Sequence, residues 1–330
     1  MTAAPLIEAA GLGKRFTKRL DYAEKAARLL GAKVEERTVH AVDAVDLAIA
    51  PGEVVGLVGE SGCGKSTLGR MMAGILPKSD GAIRWRGRDV DGLAGDAARD
   101  ARLKAQMIFQ DPFASLNPRK RVRDIIGEAP RVHGLVRRRE ADGYVQEVMR
   151  RVGLDPAYRD RFPHQFSGGQ RQRIGIARAL AVKPDFLVCD ESIAALDVSI
   201  QAQILNLFLE LKRELGLTYL FISHDLGVVE HISDRVVIMY LGRVVETAAT
   251  AELFARPQHP YTVALLNEVP RLSNRKRKFE TIKGEIPSPL HPPGGCHFHP
   301  RCPMATDRCR VERPALRPVV PGHQAACHLI

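Results

Sequence analysis

Five short runs are apolar at nearly every position: EVVGLVG (53–59), QMIFQ (106–110), DFLVCD (185–190), TYLFIS (218–223) and RVVIMY (235–240). Each is rich in branched or aromatic residues and is followed by turn residues or a helix-like segment, which predicts strands. Strands that are apolar on both faces and spaced by helices predict a mainly parallel sheet covered on both sides, so the fold class is α/β. Between positions 103 and 152 the period changes. RVRDIIGEAPRVH and READGYVQEVMRRVGL have helical spacing with no strong strand between them, which predicts a helical subdomain of about 111–180 inserted into the core. Beyond Glu246 a short helix (AELFARP) and a longer one (HPYTVALLNEVP) lead through a charged link, NRKRK, to a tail rich in Pro, Gly and Cys. The expected division is a core of 1–255 and an extension of 256–330.

Composition narrows this picture only a little. The chain has 330 residues, 45% of them apolar, enough for about two domains. Its 49 Lys and Arg against 38 Asp and Glu leave +11, which suits an anionic partner: nucleotide, nucleic acid or a membrane's inner leaflet. The runs Arg137–Arg139 and Arg275–Lys278 read as solvated faces, a phospholipid or nucleic-acid contact being the alternative. The N-terminus lacks the pattern of an export signal, and no apolar run approaches the roughly 18 residues that span a bilayer, so a cytoplasmic location is expected. In that compartment the six cysteines are thiols or metal ligands rather than disulfides.

The chemistry begins at GESGCGKST, residues 59–67, which fits G-x-x-x-x-G-K-[ST] between a strand and a helix. Such a loop turns backbone N–H groups inward on phosphates, and the helix N-terminus adds partial positive charge. Gly59, Ser61, Gly62, Gly64 and Thr67 shape the cradle, Lys65 reaches the β- and γ-phosphates, and Ser66 supplies a hydroxyl to Mg²⁺. Cys63 has no assigned chemistry. DFLVCDE brings Asp190 to a strand end as the second Mg²⁺ anchor and Glu191 beside it to orient or deprotonate water. A second cradle stands at HQFSGGQRQR. Ser167 is an N-cap, and Gly168 and Gly169 leave the first helical N–H groups uncovered by side chains. With no lysine or acid of its own, it reads as half of a pocket for a nucleotide held elsewhere.

SGGQ, placed about a hundred residues after a P-loop and some twenty before DFLVCDE, resembles the signature motif of ABC-transporter ATPases. That resemblance implies two ATPase subunits, identical or paralogous, joined head to tail, with Ser167, Gly168, Gly169 and Gln170 of one closing over ATP on the other. It further implies that Gln110, in QMIFQDP, senses Mg²⁺ and the attacking water. By the same resemblance Asp197, in AALD, is expected to cross the dimer interface, His224, in FISHD, to contact the γ-phosphate, and Phe16, in GKRF, to stack on adenine. Two departures stand out: Phe166 replaces the leucine usual before SGG, and Ser192-Ile193 replace Pro followed by Thr or Val, removing a φ restraint. A soluble relative acting on nucleic acid or ribosomes, and a P-loop kinase, are the rival readings. The first lacks its long coiled coil or second motor here, and the second has no use for SGGQ.

GLVGESGCGKSTLGR, FQDPFASLNPR, LDVSIQAQILNL, HPYTVALL and GCHFHPRCP together are similar to the ATPase subunits of bacterial dipeptide and oligopeptide importers, a group that includes nickel and glutathione systems. The implied partners are a second ATPase, two transmembrane permeases and an extracytoplasmic peptide-binding protein, with no nucleic acid. The implied place is the cytoplasmic face of the inner membrane. Cys296, Cys302, Cys309 and Cys327 are spaced C-x5-C-x6-C-x17-C. Four thiolates could ligate a [4Fe–4S] cluster, as in some relatives with such a tail. Zinc, with His297, His299 or His328 as alternates, or free thiols remain open.

Overall fold

All five apolar runs form strands. In the computed structural model, which describes residues 4–18, 30, 36–111, 113–267 and 284–330, they are β3 (Val54–Val58), β6 (Ala105–Ile108), β7 (Phe186–Asp190), β8 (Thr218–Ile222) and β9 (Arg235–Tyr240). They lie side by side in the order β9-β3-β8-β7-β6, all parallel. Every residue of β7 and β8 is buried, which is why these strands show no apolar–polar alternation. Alternate side chains serve different layers. Leu187, Cys189, Tyr219 and Phe221 face one core, and Phe186, Val188, Leu220 and Ile222 face another.

The first core is closed by α3 (Val122–Val132), α4 (Ala141–Arg151) and α5 (Gly168–Leu180), which contribute Ile126, Met149 and Ile174. The second is closed by α1 (Lys65–Met72) and by a separate antiparallel sheet in the order β2-β1-β4-β5: β1 (Ile7–Lys18), β2 (Arg37–Ile49), β4 (Asp80–Trp85) and β5 (Arg88–Asp89). This sheet lies outside the five predicted strands. The helix α2 (Gly95–Lys104) precedes β6.

The antiparallel β10 (Arg243–Ala249) extends the parallel sheet beside β9. Helix α7 (Leu226–Ile232) lies between β8 and β9, and two helices follow β10, α8 (Thr250–Ala255) and α9 (Pro260–Asn267). The Pro-, Gly- and Cys-rich tail then returns to the same sheet: β12 (His323–Ala325) pairs with β10, and β11 (Arg317–Val320) with β12. An edge strand presents unpaired main-chain groups, and here the tail covers them. Phe298 is fully buried against Tyr240 and Tyr261, with ring centroids 5.3 Å away in both cases, so the tail has an aromatic core shared with β9 and α9. Arg137–Arg139 are exposed, as a solvated face should be. The Arg275–Lys278 run and most of the stretch between Thr17 and Arg37 lie outside the described residues.

Candidate functional site

The phosphate loop leaves the C-terminal end of β3 at the centre of the sheet, where ligands of open α/β sheets bind. Gly64 is the residue before α1, with φ 104° and no side-chain cap, and a Cβ there would run into the Ala41 carbonyl. Glycine therefore lets the chain turn tightly while leaving the first helical N–H groups uncapped. Ser61 and Gly62 form the exposed turn of the loop, and Thr67 is half-buried in the first turn of α1. The Lys65 ammonium is buried and donates to the Gly59 carbonyl at 2.6 Å and the Glu60 carbonyl at 3.0 Å, which holds its charge over the loop.

Ser66 Oγ donates to Asp190 Oδ1 at 2.7 Å. Burial pushes the Asp190 carboxyl up, opposed by the Ser66 hydrogen bond and by Arg70 and Lys65. A desolvated carboxylate beside a hydroxyl is a hard oxygen donor pair, and a dication would relieve its desolvation, so Ser66 and Asp190 fit Mg²⁺.

Three adjacent strands, β6, β7 and β8, bring Gln110, Glu191 and His224 to one edge. Gln110 Nε2 donates to Glu191 Oε2 at 2.8 Å, and His224 Nδ1 lies 3.5 Å from Glu191 Oε1. The His224 side chain is 61% exposed. Glu191 has φ 45°, a left-handed conformation that is costly for a residue with a Cβ and that collects at functional sites. Its surroundings over-determine it. Glu191 N–H donates to the Ile222 carbonyl, Ala194 N–H to the Glu191 carbonyl, and Ile193 is buried in the first core. The loop stiffness in question at Ser192-Ile193 is thus supplied by hydrogen bonds and packing rather than by proline.

The SGGQ segment is built differently. Ser167 Oγ accepts from Gln170 N–H at 3.4 Å, and Gln170 Oε1 accepts from Ser167 N–H at 3.1 Å, a reciprocal capping box that starts α5. Ser167 is exposed. A Cβ at Gly169 would come within 2.5 Å of Ile200 Cγ2 and one at Gly168 within 3.7 Å of Leu196 Cδ2, so the glycines seat α5 on the segment that carries Asp197. Phe166 is buried and edge-on to Tyr158, 6.2 Å between centroids, which accommodates the replacement of leucine. Asp197 precedes α6 (Val198–Leu215) without a side-chain capping bond and is exposed, and the next residue, Val198, is 81% exposed. Phe16 lies on β1 opposite Val39, is 44% exposed, and carries Lys14 Nζ 5.1 Å from its ring centroid. None of the hydrogen bonds or ring contacts among the described residues joins it to the phosphate loop.

The four late thiols meet the expectation of a metal centre only in kind. Burial raises the Cys296 thiol, and Cys309, Cys302 and Cys327 all add to that rise, so the four lie within electrostatic reach. Yet among the described residues no three His, Cys, Asp or Glu side chains are arranged to hold an ion. The sulfurs are satisfied singly instead: Cys309 Sγ lies 3.3 Å from Thr306 Oγ1, and Cys327 Sγ accepts from Leu329 N–H at 3.5 Å. His297 Nδ1 bonds the Leu241 carbonyl and His299 Nδ1 the Cys296 carbonyl, so these alternates are also engaged in the fold. The tail is already tied down by Phe298 and its strands. Sequence reasoning also passed over Glu60, Tyr261 and Arg301, which meet across the loop, because a contact spanning 241 positions leaves no local signal.

The chain matches the family "ABC transporter" over residues 42–194 and "Oligopeptide/dipeptide transporter, C-terminal region" over residues 245–309. It is 52% identical over 295 residues to the oligopeptide transport ATP-binding protein AppF of Bacillus subtilis, covering 88% of this chain and 90% of that protein. It is 47% identical over 328 residues to a putative peptide import ATP-binding protein of Brucella ovis, covering 99% and 98%. Among solved structures it resembles cbiO1 of Clostridium perfringens, part of the ABC transporter complex cbiONQ, with TM-score 0.62, 28% identity and coverage of 77% and 92%. It also resembles the dimeric ABC transporter cassette MJ0796, with TM-score 0.62, 26% identity and coverage of 74% and 98%.

Proposed function

This chain belongs to the ATP-binding subunits of ABC-type oligopeptide transporters, and from that premise we propose that it hydrolyses ATP at a site completed by a second ATPase subunit to drive peptide import. The composite site is carried by a division of labour between two parts of the chain. Lys65, Ser66, Asp190, Glu191, Gln110 and His224 gather at one end of the parallel strands, whereas Ser167 is exposed at the start of a helix, Gly168–Leu180, whose own sequence has no acid or lysine.

In this reading the N–H groups at the start of α1 and the Lys65 ammonium orient the triphosphate. Ser66 and Asp190, with Gln110 as the residue that senses it, would hold Mg²⁺, which when bound would supply positive charge to offset that of the triphosphate. Glu191 orients a water and takes one of its protons as the water oxygen bonds to the γ-phosphorus. The bond from that phosphorus to the bridging oxygen breaks, and its electron pair leaves with ADP. Gln110 and His224 hold the Glu191 carboxylate in place, and His224 is exposed enough to reach the γ-phosphate. Phe16 stacks on adenine. Ser167, Gly168, Gly169 and Gln170 of one subunit close on the ATP of the other, with Asp197 at the crossing.

The partners in this reading are an identical or paralogous ATPase, two transmembrane permeases and an extracytoplasmic peptide-binding protein. Among the described residues no helix is long and apolar enough to cross a membrane, which suits a peripheral subunit docked on the cytoplasmic face. A [4Fe–4S] cluster on Cys296, Cys302, Cys309 and Cys327, or zinc there, rests on the spacing of the four cysteines in the sequence. Iron, sulfide and zinc analysis of anaerobically purified protein tests it. For the main reading the test is reconstitution with permeases in vesicles: ATP-dependent uptake of a labelled oligopeptide is expected. ATPase activity that responds to polynucleotide and not to permease would overturn it.

A further inference from the structure

Glu60 places a carboxylate inside a loop built for a polyanion, a like charge that weakens phosphate binding unless something neutralises it. All its polar groups are taken. The Arg301 guanidinium forks onto the carboxylate, Nη1 to Oε2 at 2.7 Å and Nη2 to Oε1 at 2.9 Å. The Tyr261 hydroxyl accepts from Glu60 N–H at 2.9 Å, and the Glu60 carbonyl accepts from the Lys65 ammonium at 3.0 Å. A bidentate arginine–carboxylate pair fixes orientation as well as charge.

The two clamping residues come from beyond the ATPase core. Tyr261 is on α9, and Arg301 ends the short turn His299–Arg301, next to Cys302. Neither can move alone. Tyr261 is fully buried and packs on Tyr240 at 4.7 Å between centroids, and Arg301, 5% exposed, lies over the Tyr240 ring and bonds the Tyr240 hydroxyl at 3.4 Å. Phe298, three residues before Arg301, packs on both tyrosines. The loop that carries Lys65 is therefore fastened at Glu60 to the aromatic core of the C-terminal segment.

We propose that Arg301 and Tyr261 are positioning residues for ATP: they neutralise and orient Glu60, so that ordering of the phosphate loop and docking of the C-terminal tail are one equilibrium. Coupling of this kind is reciprocal. Loosening the clamp weakens nucleotide binding, and nucleotide binding tightens the tail. The inference rests on the reading of residues 59–67 as the phosphate cradle.

The experiment is a double-mutant cycle on the full chain, reading the Kd of a fluorescent ATP analogue with Mg²⁺. Arg301→Met, which breaks the fork and bares the Glu60 charge to the phosphates, is expected to weaken binding about tenfold; Glu60→Gln, which breaks the fork but removes that charge, about threefold, and the double variant also about threefold, because with Glu60 neutral Arg301 has nothing left to offset. Arg301→Lys, which keeps the charge and loses the fork, should fall between wild type and Arg301→Met. In steady state the loss should be in KM, with kcat changed less than about twofold. Hydrogen exchange of residues 296–309 should slow on adding nucleotide to wild type and not respond in Glu60→Gln, a readout that stands even if Arg301→Met fails to fold. Single variants binding within twofold of wild type, single effects that multiply in the double variant, or tail exchange indifferent to nucleotide in wild type would overturn the clamp. Lys65→Ala in the same assay checks the cradle separately: retained binding there sinks the cradle reading, not the coupling at Glu60.

Discussion

The two halves of the nucleotide site are built to different degrees of completion. The phosphate-loop half closes on itself: Lys65 is buried over its own loop carbonyls, Ser66 holds Asp190, Gln110 holds Glu191, and Glu60 is fastened from the C-terminal segment. On the signature half, the Ser167 hydroxyl caps its own helix at Gln170 N–H, the Asp197 side chain makes no capping bond, and Val198 stands bare to solvent. In the proposed function one half binds nucleotide as it stands, and the other gains a task only when a second subunit brings ATP to it.

Variants that separate binding from turnover sharpen this contrast. The largest effect should come from Glu191→Gln, which keeps the side chain's shape and removes its basicity. Phosphate release should fall by about a thousandfold with nucleotide affinity within about twofold of wild type. Wild-type-like hydrolysis would remove Glu191 from the chemistry. Next is Ser167→Arg, expected to cut turnover by about a hundredfold in the assembled transporter while the isolated chain binds the nucleotide as before. A matching loss of affinity in the isolated chain would mean that the signature belongs to its own chain's pocket.

A smaller effect concerns the C-terminal segment. His259 and His297 are buried, and burial lowers both to about 4. A base whose folded value lies below its unfolded 6.5 contributes stability above that pH and loses it as pH falls toward 4, because the unfolded chain takes up the proton first. The melting temperature should therefore drop between pH 6.5 and 4, and less steeply in His259→Phe. A flat profile across that window would place neither histidine in the core. The smallest expected effect is that of Gly169→Ala. Its Cβ must displace Ile200, so turnover should fall by about tenfold, with a loss of about 1 kcal/mol in stability that calorimetry would detect. An unchanged variant would show that the seat of α5 has slack.

What was legible in the sequence follows the same physics. Strands β3, β7 and β8 stood out because burial on both faces writes a continuous apolar run, and the phosphate loop because its glycines and lysine must be consecutive. The sheet of β1, β2, β4 and β5 was not legible. Strand β2 alternates buried and exposed residues over much of its length, and β1 changes register at several points, which blurs its period. The tail strands β11 and β12 have four and three residues, too few for any pattern, and are held by main-chain pairing to β10. In the site, Gln110, Glu191 and His224 could be named separately from their motifs, but their meeting needed the order β6-β7-β8. The Glu60–Arg301 pair had no local signature at all.

The central claim is that neither chain completes a hydrolytic site alone, and its most direct test is the ATPase rate per molecule as protein concentration is lowered through dissociation, alone or with the partner ATPase. The account predicts that the specific rate falls toward zero with the loss of dimer while nucleotide stays bound to the separated chain. A specific rate that is constant down to strictly monomeric protein would contradict it.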